Sequence, residues 1–142
     1  MIIAIDFDGT CVTHDFPKIG INIGAEYVLR DLVCAGHKLI LFTMRSDMEV
    51  SELDINIEGK KALTGKYLTD ALSWFSNHEI DLYSVQKDIN QELWTSSNKC
   101  YAELYIDDAA LGVPLIYPEI GRPYVDWLKV RVLLVAKGIL NN

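Results

Sequence analysis

Short, continuously apolar runs alternate along the chain with stretches in which apolar residues recur at helical spacing. Ile2-Ile3-Ala4-Ile5 is apolar throughout and rich in β-branched residues, as a strand buried on both faces reads, and it ends at Asp6. Ala25 to Ala35 sets Ala25, Val28, Leu29, Leu32 and Val33 on one helical face, with Gly36 where a helix stops in the left-handed conformation. Lys38 to Thr43 repeats the strand pattern and runs into Thr43-Met44-Arg45-Ser46, and Tyr67 to Phe75 repeats the helical one. Leu82 to Val85 and Glu103 to Ile106 are further strand candidates, the second ending in Asp107-Asp108. Leu115 to Tyr117 is a short fifth, and Tyr124 to Lys137 reads as a closing helix.

This order predicts an α/β chain with a three-layer Rossmann-like fold, a central, mainly parallel sheet with helices on both faces, because a parallel strand pair needs a crossover connection. Ligands of such sheets bind beyond the carboxyl ends of the strands, near the point where strand order reverses. Three polar clusters fall at such ends. Thr13 to Asn22, with Pro17 and Gly20, and Asp47 to Gly65 follow neither period and read as loops or small hairpins, in a position suited to substrate selection.

The length of 142 residues fits one domain over 1–142, and a composition 50% hydrophobic and 23% charged is that of a folded globular chain. A formal charge of −7 opposes nucleic acid, and Lys60, Lys61 and Lys66 have no interleaved aromatic platform, so nucleic-acid binding is not expected. Cys11, Cys34 and Cys100 are odd in number and unlike any zinc pattern, which fits a reducing cytoplasm. Met1 runs straight into an apolar, strand-like stretch with no basic n-region, and Val130 to Ala136 is too short to span a bilayer, so neither export nor a membrane partner is expected. His14, His37 and His78 read as scattered surface or packing residues, and Cys11 as a packing residue.

The chemistry concentrates in Asp6-Phe7-Asp8-Gly9-Thr10. An extended backbone puts both carboxylates on one side, and Gly9 lets the chain turn so that they approach one small volume. A divalent cation held by Asp6 and a distal acidic group would offset that crowding and shield a carboxylate attacking phosphorus, while Asp8 acts as proton donor.

These residues resemble the motifs of the haloacid dehalogenase-like (HAD) superfamily: DxDGT after the first strand, a Thr ending the next, a Lys, and an acidic pair at a later strand end. The resemblance spans Ile2 to about Tyr117. It implies a Mg²⁺-dependent phosphatase acting through an aspartyl-phosphate on a phosphorylated substrate. Asp6 would be nucleophile, Asp8 general acid and base, and Thr43, with Met44 and Arg45 beside it, would hold the phosphoryl group. Asp6, Asp8, Asp107 and Asp108 would form the Mg²⁺ site. Lys99, preferred to Lys87, would neutralise the nucleophile and the phosphate. Neither customary insertion point holds a full cap domain, so the implied site is open unless the Asp47 to Gly65 loop or a second subunit shelters it.

Three alternatives stay open on sequence: a non-catalytic phosphate- or partner-binding module of the same fold, a receiver-like signalling domain, and a phosphotransferase using the same intermediate. A receiver would carry its acidic pair at the first strand, against the order found here. The apolar face of Val125 to Leu140, with Trp127, Val130, Leu133 and Leu134, suits core packing and is compatible with a homo-oligomer.

Overall fold

A computed structural model of the chain describes residues 1–48 and 65–141. Its strands are β1 (Ile2–Ile5), β2 (Lys38–Leu41), β3 (Asp47–Met48), β4 (Gly65–Lys66), β5 (Ser84–Val85), β6 (Leu104–Ile106), β7 (Leu115–Ile116) and β8 (Tyr124–Val125). The helices are α1 (Ala25–Cys34), α2 (Tyr67–Asn77) and α3 (Trp127–Ala136).

The central sheet is four-stranded and parallel, in the order β5-β2-β1-β6. Ile5, Leu41, Val85 and Ile106 share one row across it. The ladder runs one step further, with Asp6 N–H donating to Ile106 O at 3.0 Å, Phe42 N–H to Ile5 O at 2.8 Å and Gln86 N–H to Leu41 O at 2.7 Å. Asp6, Phe42, Gln86 and Asp107 therefore leave the sheet together at its carboxyl edge. From β1 the chain steps through β2 to β5 in one direction, then returns to place β6 on the other side of β1. The reversal lies between β1 and β6, so the fold sets Asp6 and Asp107 on either side of the point where such sheets bind ligands.

Ile3, Ile5, Leu39, Leu41 and Ile106 face one core with Val28 and Leu29 of α1, Trp74 and Phe75 of α2, and Trp127 and Val130 of α3. The alternate positions Ala4 and Ile40 face the other way and pack with Cys100, Phe42 and Tyr83. The expected helices on both faces are found on one: the second layer is the β5-to-β6 crossover, which contains a 3₁₀ turn at Gln91–Leu93. A right-handed crossover that reverses direction must cover the opposite face, and the polar run from Asp88 to Lys99 has no helical period with which to do so as a helix. The buried Gln91 side chain organises it instead, donating to Ser97 O (3.0 Å) and Lys99 O (2.7 Å) and accepting from Tyr101 N–H (2.7 Å).

The first helix matches its sequence pattern, stopping before Gly36 at φ +85°. The closing helix starts later than Tyr124. Tyr124 and Val125 pair antiparallel with Ile116 and Leu115, and Asp126 caps the helix by accepting from Lys129 N–H at 3.1 Å. The fifth strand candidate thus exists, in a separate ribbon outside the central sheet. β3 and β4 pair antiparallel, Asp47 with Lys66 and Met48 with Gly65. Residues 49–64, the greater part of the expected Asp47 to Gly65 loop and with it Lys60 and Lys61, lie outside the described residues. Among the described residues no helix is long and apolar enough to cross a membrane.

Candidate active site

Phe7 anchors the first motif. Its ring is buried against Trp74 (5.7 Å, edge-on) and Phe75, so the alternation of an extended chain turns Asp6 and Asp8 away from the core. The backbone then closes on itself, with Cys11 N–H donating to Phe7 O (2.7 Å) and Gly9 N–H to Val12 O (2.8 Å), and Gly9 takes φ +83°. A Cβ at Gly9 would lie 2.1 Å from His14 Nε2 and 2.7 Å from Asp108 Oδ2.

Asp6, Asp107 and Asp108 each direct a carboxylate oxygen into a group whose members lie within 4.8 Å of one another. Thr10, fully buried, is the hub. Its hydroxyl donates to Asp6 Oδ2 at 2.9 Å and accepts from Asp108 N–H at 3.0 Å, tying the first motif to the acidic pair. Burial pushes the Asp6 carboxyl up to about 7; the Asp107 and Asp108 charges add to the rise, and hydrogen bonds from Phe7 N–H and Thr10 work against it. His14 Nε2 lies 2.9 Å from Asp108 Oδ2. Neither the linking role of Thr10 nor the placement of His14 was legible in the sequence, since both depend on contacts across 98 and 94 residues.

The expected fourth metal ligand, Asp8, does not join this group. Its carboxylate is gripped by Arg45, with Nε to Oδ2 and Nη2 to Oδ1 both at 2.7 Å. Arg45, expected on the substrate, is only 2% exposed and also donates to the carbonyls of Pro17, Lys18 and Tyr67. Thr43 sits at the carboxyl edge two residues beyond β2. Gln86, in the left-handed region at φ +64°, holds it as a neighbouring strand would: its amide accepts from Thr43 N–H (3.0 Å) and donates to Thr43 O (2.6 Å). Met44 is 98% exposed at the tip of this turn.

Lys99 is not brought to the acidic group. It precedes the amino end of β6, and its ammonium lies 6.0 Å from the Tyr105 ring, in a pocket of about 300 Å³ on the second face of the sheet with Trp94 and Tyr101. Lys87 instead follows the carboxyl end of β5, next to Gln86, half-exposed and 3.3 Å from Glu92. The sequence distance to Asp107-Asp108 misled here, because the crossover between Lys99 and β6 runs along the face before the strand begins.

An all-oxygen set of three carboxylates, one of them buried enough to hold its proton to about pH 7, fits a hard divalent cation such as Mg²⁺. The Cys11 thiol, wholly buried and 3.3 Å from Asp6 O, is pushed up by burial and by the neighbouring carboxylates, which suits packing and not nucleophilic attack.

Neither a protein-family model nor a curated protein matches the sequence. Among solved structures, a conserved protein of Bacteroides thetaiotaomicron is similar at 31% identity and a TM-score of 0.67, over 97% of this chain and 90% of that one. At that identity and coverage, the chain belongs to the same family as the conserved Bacteroides thetaiotaomicron protein.

Proposed function

We propose that the chain is a Mg²⁺-dependent phosphohydrolase of the HAD-like type, acting on a phosphomonoester. The observation that carries this reading is the convergence of Asp6 with Asp107 and Asp108 where strand order reverses, while the second carboxylate of the motif is kept apart on its own partner. Two carboxylates in different surroundings can divide the work of nucleophile and acid.

Asp6, Asp107 and Asp108 would hold Mg²⁺, which, when bound, shields the negative charge of nucleophile and phosphate. An Asp6 oxygen forms a bond to phosphorus as the bond from phosphorus to the ester oxygen breaks, and Asp8 gives its proton to that oxygen. Water then attacks the phosphorus of the aspartyl-phosphate, Asp8 takes the water's proton, and Asp6 is released with inorganic phosphate. Thr43, through its hydroxyl proton, and the exposed turn at Met44 donate to the phosphoryl oxygens. Lys87 supplies the cation at this edge that Lys99 was expected to supply.

The test is p-nitrophenyl phosphate hydrolysis with Mg²⁺ or with EDTA, comparing the wild-type chain with Asp6→Asn. Metal-dependent turnover abolished in Asp6→Asn supports the reading. Phosphate binding without turnover would return the protein to the class of binding modules, and equal activity in the variant would remove Asp6 as nucleophile.

A further inference from the structure

Every donor of the Arg45 guanidinium is spoken for. Nε donates to Asp8 Oδ2 and Nη2 to Asp8 Oδ1, both at 2.7 Å. Nη2 also reaches Lys18 O at 2.7 Å, and Nη1 reaches Pro17 O at 3.3 Å and Tyr67 O at 3.4 Å. Guanidinium carries five N–H groups, and five acceptors are present. Two aromatic rings lie against it as well, with the Phe7 centroid 5.1 Å and the Phe16 centroid 5.2 Å from Cζ. An arginine so placed has no N–H to offer a phosphate.

What it does hold is Asp8. The paired bonds fix the plane of the carboxylate and leave a further lone pair on each oxygen, where the proton that passes to the leaving oxygen, and is later taken back from water, can be carried. The same guanidinium binds the carbonyls of Pro17 and Lys18 in the Thr13 to Asn22 loop and that of Tyr67 at the start of α2, so the aim of Asp8 is tied to two further segments of backbone. Lysine could not reproduce this, having no planar fork.

We propose that Arg45 is the positioning residue of Asp8 and serves the proton-transfer part of the reaction, not substrate binding. The inference rests on the phosphohydrolase reading. As Asp6 bonds to phosphorus and the ester bond breaks, an alkyl oxygen needs the Asp8 proton in order to leave, whereas p-nitrophenolate departs as the anion. A residue that aims Asp8 therefore matters far more for the first ester than for the second.

The experiment measures kcat/KM, which reports events up to departure of the leaving group, for p-nitrophenyl phosphate and for a simple alkyl phosphate, in wild type, Asp8→Asn and Arg45→Lys. Both substrates are read in one preparation, so the ratio does not depend on the folded fraction. Arg45→Lys should lose at least about tenfold more on the alkyl ester than on the aryl ester, the same direction as Asp8→Asn, since general acid catalysis contributes about 10²- to 10⁴-fold. Asp8→Asn/Arg45→Met, which leaves no charge unpaired, should show the same ratio as Asp8→Asn alone. Equal losses on both esters in Arg45→Lys, or a further change of ratio in the double variant, would overturn the role of Arg45 and leave the phosphohydrolase standing. No metal-dependent turnover by the wild type would overturn both.

Discussion

The indole Nε1 of Trp127 donates to the carbonyl of Thr10 at 2.6 Å, across 117 residues and entirely inside the protein. With Val125 N–H on Gly9 O at 2.9 Å, it makes the C-terminal segment the support on which the first motif rests. Trp127→Phe keeps most of the packing and strands a buried carbonyl, which costs about 1–3 kcal/mol. Urea denaturation should show that loss, and Mg²⁺ titration of the same variant should show weaker binding, because Thr10 is the link between Asp6 and Asp108. Unchanged Mg²⁺ affinity would separate the support from the site.

Gly9→Ala tests the close approach of loop and cluster. The backbone at φ +83° costs any L-residue about 1–2 kcal/mol. The new methyl would also fall on His14 and Asp108. Displacing Asp108 should lower Mg²⁺ affinity by about tenfold or more, the range seen when groups around metal ligands are disturbed. Calorimetric titration against Mg²⁺ is the check, and wild-type affinity would contradict the crowding described.

The strands at the centre of the sheet were legible because each is short, apolar and ends in a polar cluster, and the α1 boundary because Gly36 marks it. What the sequence hid is long-range. No local pattern tells that Gln86 substitutes for a strand neighbour of Thr43, or that Asp8 turns to Arg45 and away from Asp107. The closing helix was drawn too long because Tyr124-Val125 is apolar enough to continue it, while the cap at Asp126 and the pairing with β7 set its true start. The acidic cluster itself was legible, since parallel strand ends bring Asp6 and Asp107 together whatever the side chains do.

Asp6 gives a pH dependence of known sign. Its carboxyl moves from an ordinary 3.8 to about 7 on folding, so between those values the native chain binds more protons than the unfolded one. Stability of the metal-free protein should therefore fall as pH rises from about 4 to about 7, by a contribution of the order of a few kcal/mol. Asp6→Asn should flatten this part of the Tm profile, and so should saturating Mg²⁺. A wild-type profile superimposable on that of Asp6→Asn without metal would contradict the buried carboxyl.

The motif lysine is decided by comparing Lys87→Met with Lys99→Met. Loss of a cation at the phosphoryl group costs about 10²-fold or more in kcat/KM, and this should fall on Lys87. Lys99→Met, remote from the acidic group, should stay within about threefold, as replacements away from a site do. The reverse order would restore the assignment made from sequence.

The central claim is that Asp6 itself attacks phosphorus, and trapping the intermediate tests it most directly. Wild-type protein mixed with p-nitrophenyl phosphate and Mg²⁺, acid-quenched and treated with borohydride, should yield homoserine at position 6 by peptide mass mapping, since borohydride reduces an acyl phosphate to the alcohol. Omission of Mg²⁺ should abolish the product. Turnover with no homoserine at position 6, or with homoserine at another aspartate instead, would contradict the account.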